Sequence, residues 1–138
     1  MCCLSTNSPE GSCTGFPDVC KTVVGPDVVP IPYPNEADVS DADPGTVADT
    51  ILVCGFPAAY VETVIMLSQG DDTGELGGVV SETDMGPGKY VIGSETVMLE
   101  GIPAVFMGSM IGLNGMAEGN CPDGLQDTPS QESVLVAP

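Results

Sequence analysis

The side chains able to carry chemistry in this chain are few in kind. It holds six cysteines, at 2, 3, 13, 20, 54 and 121, with twenty acids, two lysines (Lys21 and Lys89) and no histidine. Without an imidazole, Ser-His-Asp and Cys-His nucleophilic catalysis has no base, and the commonest zinc ligand is missing. The cysteines include no C-x-x-C pair, so no zinc-finger spacing is present. The acids gather in stretches that read as exposed loops. Asp38-Val39-Ser40-Asp41-Ala42-Asp43 lacks the closing half of a calcium loop. The glycine-rich run from Gly70 to Ser81 contains no G-x-x-x-x-G-K-[ST] and no cation to meet a phosphate. An enzyme is not expected.

Charge narrows the partners. A formal net charge of −18 excludes nucleic acid, whose binding depends on Lys and Arg neutralising phosphates. It also disfavours an anionic membrane surface. Two readings of the acids remain: a solvated, solubilising surface, or a face that docks onto a basic partner. No apolar run approaches the ~20 residues of a membrane-spanning helix. Met1-Cys2-Cys3-Leu4-Ser5-Thr6-Asn7 has neither the basic nor the apolar part of a secretory signal. The expectation is assembly in the cytoplasm with reduced thiols; the even cysteine count allows disulfides if the protein works outside a cell.

The elements that must position these residues announce themselves by repetition. Ile51-Leu52-Val53-Cys54-Gly55-Phe56-Pro57-Ala58 and Val97-Met98-Leu99-Glu100-Gly101-Ile102-Pro103-Ala104 share one pattern, 46 residues apart. Each copy continues into a second apolar run, Tyr60 to Leu67 and Val105 to Leu113, and stops at Gln69-Gly70 or Asn114-Gly115. Such runs bounded by Gly, Pro and Asn predict β-hairpins. Gly55, Pro57, Gly101 and Pro103 are read as the corners, since Gly admits φ > 0 and Pro fixes φ. Ser133-Val134-Leu135-Val136 resembles the start of a third copy. Val28 to Asn35, with prolines at 30, 32 and 34, predicts an extended edge segment. With 18 Gly and 13 Pro, the chain reads as one all-β domain of short strands, with no helix needed. Residues 1–14 are expected to form a flexible arm and residues 15–138 the folded domain. Met66, Met98, Met107 and Met110 are expected to fill the core.

The ordered fragments Gly15-Phe16-Pro17-Asp18-Val19-Cys20-Lys21-Thr22, Val29-Pro30-Ile31-Pro32-Tyr33-Pro34-Asn35, Cys54-Gly55-Phe56-Pro57-Ala58, Ser68-Gln69-Gly70-Asp71, Gly77-Gly78-Val79-Val80-Ser81, Met85-Gly86-Pro87, Gly101-Ile102-Pro103-Ala104, Leu113-Asn114-Gly115, Asn120-Cys121-Pro122 and Pro129-Ser130-Gln131 resemble the PAAR-like proteins. These cap the spikes of type VI secretion systems and related contractile injection devices. The resemblance covers residues 15 to 136. It implies a small β-cone with pseudo-threefold repeats, seated one per homotrimeric spike protein, that sharpens the spike for piercing a target envelope. It also implies contact with the target membrane and localisation at the tip of a secreted or extracellular particle. The device could be a secretion system, an extracellular injection particle or a phage tail. Relatives often hold zinc near the apex through His and Cys. Ala59, Tyr90 and Leu113 stand here where relatives commonly have His, while Cys20 and Cys121 fall where cysteines are expected. Any zinc would therefore rest on Cys20 and Cys121, as thiolates alone or with carboxylates, and no other cofactor is implied. Two further readings are an adaptor that delivers a separate effector and a disulfide-stapled secreted β module.

Overall fold

The computed structural model describes residues 2–115 and 119–137. Its strands are short and many: β1 (Cys2–Cys3), β2 (Ser12–Val24), β3 (Asp27–Asp38), β4 (Leu52–Val53), β5 (Phe56–Pro57), β6 (Val64–Ile65), β7 (Gly88–Tyr90), β8 (Met98–Leu99), β9 (Ile102–Pro103), β10 (Met110–Leu113), β11 (Cys121–Thr128) and β12 (Leu135–Val136). The described helical content is two single 3-10 turns, Val39–Asp41 and Pro44–Thr46. The fold is a small all-β cone.

One end is a three-armed ring. The arms are β4–β5, β8–β9 and β12–β1, each an antiparallel pair. In every arm the next residue of the returning strand donates back to the outgoing one: Ala58 to Ile51 O, Ala104 to Val97 O and Leu4 to Val134 O, each at 3.0 Å. At the centre the arms bond head to tail. Ala59 N–H donates to Ser5 O (2.9 Å), Val105 to Ala59 O (3.4 Å) and Ser5 to Val105 O (3.0 Å), closing a cycle. Bridges Thr6–Ala58, Tyr60–Ala104 and Phe106–Leu4 repeat the same threefold relation. Val53, Leu99 and Val136 occupy equivalent buried positions under the arms, beside Leu4, Ala58 and Ala104. Small apolar side chains suit this crowded axis, where three backbones meet and no Cβ branch is needed to fill the gap.

The segment expected to be a loose arm is thus part of the scaffold. β1 pairs with β12, and Leu4, Ser5 and Thr6 are buried. Two of the three arms are continuous hairpins; the third is assembled from both ends of the chain, and the backbone groups of residues 2–7 find their partners there.

The hairpin corners also lie differently. The reversal is Cys54-Gly55 in one arm and Glu100-Gly101 in the next, with φ of 54° and 84°, and 52° and 82°. Two successive positive φ values make the turn type whose twist matches a tight hairpin. Pro57 and Pro103 sit in the returning strands instead, Pro57 opposite Leu52 and Pro103 opposite Met98.

From the ring, β2, β6 and β10 run outward, each after a tight turn. With β3, β11 and β7 they form a six-stranded sheet in the order β3-β2-β11-β10-β7-β6. β3 takes the edge, the place that tolerates Pro30, Pro32 and Pro34. A second apolar cluster, including Cys13, Ile65, Tyr90, Ile111, Leu113 and Cys121, packs between sheet and ring. The β2–β3 hairpin reaches furthest from the ring, and residues 23–30 are exposed throughout. Met66, Met98 and Met107 do not fill the core as expected; they are exposed. In β4, β8 and β12 one side chain is buried and its neighbour exposed, the buried places going to Val53, Leu99 and Val136, so Met98 faces out; Met66 and Met107 lie outside the strands.

Candidate functional site

Between the sheet and the loops at its far end lies a buried polar cage. Asp18 enters it from β2 just after a bulge, where the β2–β3 register shifts between Gly15 and Asp18. Cys20 is two residues on, hence on the same face of the strand. Asn35 comes from β3, Asp71 and Ser68 from the connection after β6, and Asn114 and Asn120 from the chain between β10 and β11. Asp18, Cys20, Asn35, Ser68, Asp71 and Asn114 are at most 1 % exposed.

Three carboxamides converge on Asp18. Asn35 Nδ2 donates to Oδ2 at 2.8 Å and to Ser68 Oγ at 3.0 Å. Asn114 Nδ2 donates to Oδ1 at 3.3 Å, and Asn120 Nδ2 donates to the same oxygen. Each amide is oriented by what its own oxygen accepts: Glu36 N–H for Asn35, Gly86 N–H for Asn114, and Val80 and Ser81 N–H for Asn120. Backbone donors therefore fix which end of every amide faces the carboxylate. A buried carboxylate needs such partners, and here no cation of the chain supplies them.

Asp71 is less well served. Its Oδ1 is buried without a hydrogen-bond partner. Burial first, then Asp18 and Asp84, push its pKa up to about 7. Burial, followed by the Asp18 and Asp71 charges, pushes the Cys20 thiol up to about 12. One ligand atom from each of Asp18, Cys20 and Asp71 lies within 4.8 Å of the others. The set suits a divalent cation: two hard carboxylates, one thiol that a metal would deprotonate, an orphaned oxygen, and amides that hold Asp18 in place from behind.

Of the two cysteines expected as ligands, Cys20 joins this group and Cys121 stands apart from it. Cys121 is buried in the apolar cluster, with its thiol raised to about 11 by burial and the nearby Asp18 charge. The space beside it is tight, since a Cβ at Gly15 would come within 2.7 Å of its Sγ. Asp18 and Asp71 were not expected as ligands. A signal for them existed: the fragments holding Asp18, Asn35, Asp71, Asn114 and Asn120 all belong to the resemblance, and each brings one or two residues to the cage. Composition gives no such hint, because these residues come from five separate segments.

The ring face carries the other notable constellation. Leu52, Met98 and Leu135 occupy the same position in the three arms and are 63 %, 52 % and 48 % exposed. The molecule is thus an all-β cone with a threefold ring of arms and, apart from it, a buried Asp–Asn–Cys cage. The chain belongs to the toxin PAAR-like domain family, whose model matches residues 11–122. The match stops short of both pieces of the split third arm. No curated protein and no solved structure matches.

Proposed function

We propose that this chain caps the trimeric spike of a contractile injection machine, seated by its ring with the β2–β3 hairpin pointing away. The observation that carries this reading is the apolar triad Leu52, Met98 and Leu135, repeated about the ring axis and left open. A true threefold partner offers the same surface three times, so one tip can satisfy all three arms at once. Exposed apolar residues placed by symmetry are not explained by solubility in a chain of net charge −18. At the opposite end, the Asp18–Cys20–Asp71 set would hold zinc or a similar cation. Such an ion would tie β2 to the connection after β6 and stiffen the approach to the tip.

The test is titration of the tip against its purified spike trimer, followed by native mass spectrometry. One tip per trimer is expected, with a buried area of roughly 1,200–2,000 Å² and binding that persists at raised salt, because apolar contact dominates. Replacing Leu52, Met98 and Leu135 by Ser together should abolish it. Three tips per trimer, or release once salt screens the charges, would overturn the seating. For the ion, elemental analysis should find metal in the parent protein and lose it in the Asp71→Asn variant.

A further inference from the structure

On the flank of the cone, bordering the cage at Asn35, β2 parts from both neighbours. Its pairing with β11 reaches only to Thr14, and its pairing with β3 shifts register between Gly15 and Asp18. The gap is a cavity of about 520 Å³, within the range of built ligand pockets. Phe16 and Leu125 stand open at its wall, 61 % and 44 % exposed, with Pro34 beside them. Glu36, Asp123 and Asp127 complete the lining, and no Lys or Arg does. Gly70 forms part of the floor with φ of 124°, and a side chain there would collide with the Pro34 carbonyl, so the cavity depends on that glycine.

We propose that this groove receives a basic segment of a partner protein, taking the alkyl stem of an arginine or lysine against Phe16 and Leu125 and its cationic head among Glu36, Asp123 and Asp127. Long cationic side chains have this division, an apolar stem and a charged end, and an arginine plane also stacks on an aromatic face. The occupant must come from outside. The chain has only Lys21 and Lys89 as cations, and both lie in strands away from the cavity lining. The groove is independent of the ring seat, so a tip on its spike keeps it free for a passenger.

The experiment uses the full chain and a labelled decapeptide of alternating Arg and Leu, with a Glu-Leu decapeptide as control, read by fluorescence anisotropy at physiological salt. Saturable one-to-one binding of the Arg-Leu peptide is expected. Phe16→Ser, Leu125→Ser, and the triple change Glu36→Gln, Asp123→Asn, Asp127→Asn should each weaken it by about tenfold or more. Neutralising Asp49, Glu62 and Glu95, exposed acids elsewhere, should leave it within about twofold. All these side chains are at the surface, and thermal melts verify that each variant folds. Equal losses from the two triple variants, binding without saturation, or indifference to Phe16 and Leu125 would each overturn the groove, while leaving the spike stoichiometry unaffected.

Discussion

The ring and the cage hold the molecule together by opposite means. In the ring, nearly every bond is backbone to backbone and occurs three times, so side chains matter chiefly for being small and apolar. In the cage, every bond is made by a unique side chain, and Asp18 alone answers three amides. Repetition makes the ring tolerant of side-chain change, whereas the cage concentrates its risk in single residues.

The contrast can be attacked first where it should break most easily. Asp18→Ala takes one acceptor from each of three buried amides, although Asn114 keeps Thr83 O and Asn120 keeps Val19 O, and we expect a loss of about 3–5 kcal/mol in denaturant unfolding; a loss under ~1 kcal/mol would mean the cage is ornamental. Next comes a place where a side chain of the ring stands in for a backbone group. In two arms a backbone N–H, from Ala48 or Ser94, reaches the carbonyl of Ala58 or Ala104. In the third, Gln131 Nε2 does this for Leu4 O at 2.8 Å and also meets Val134 O, while its Oε1 accepts from Ser133 and Val134 N–H. Gln131→Ala should cost about 2–3 kcal/mol; Ser94→Ala, which keeps its own N–H bond to Ala104 O and loses only the Oγ that accepts from Thr96 and Val97 N–H, should cost about 1 kcal/mol. Comparable melts for the two variants would erase the distinction.

A smaller effect is expected at the corners. A Cβ at Gly55 or Gly101 meets nothing within 4 Å, so Gly55→Val or Gly101→Val pays only for its left-handed φ, about 1–2 kcal/mol each. Melts matching the parent would show that the turns relax. Smallest of all, Leu52→Ser, Met98→Ser and Leu135→Ser should each shift stability by no more than ~0.5 kcal/mol, even as together they abolish docking. A large loss of stability there would reassign the triad from seat to core.

How much of this could be read beforehand depends on how local the signal was. The two continuous arms were legible because each hairpin carries its whole pattern within eight residues. Of the four corner residues, Gly55 and Gly101 do lie in the left-handed turn, but their companions there are Cys54 and Glu100, while Pro57 and Pro103, which draw the eye, lie in the returning strands. The third arm was half legible: Ser133 to Val136 looked like a beginning, but its continuation lies at Cys2 and Cys3, where no linear scan joins it. That is also why residues 1–14 read as an arm. The cage shows the same limit. Cys20 stood out by its type, but Asp71 lay in a run that composition marks as a loop, and nothing local ties it to Asp18, 53 positions away. The exposed methionines were misread because apolar type says which residues can be buried, not where the backbone puts them: Met98 takes the outward side of β8, Met66 follows β6 and Met107 sits in a turn.

The split arm also sets a schedule. Leu4 and Gln131, bonded in the finished ring, are 127 positions apart. At ordinary elongation rates the ribosome needs roughly 6–25 s to travel between them. Throughout that interval β1 has emerged but its strand partner has not been made, so the nascent protein carries two finished arms and an open third. A chain broken off before β12 can form most of the sheet but has no way to complete the threefold seat. The third arm therefore closes only once Val134 to Val136 have been made, because they supply the strand that β1 and Leu4 bond.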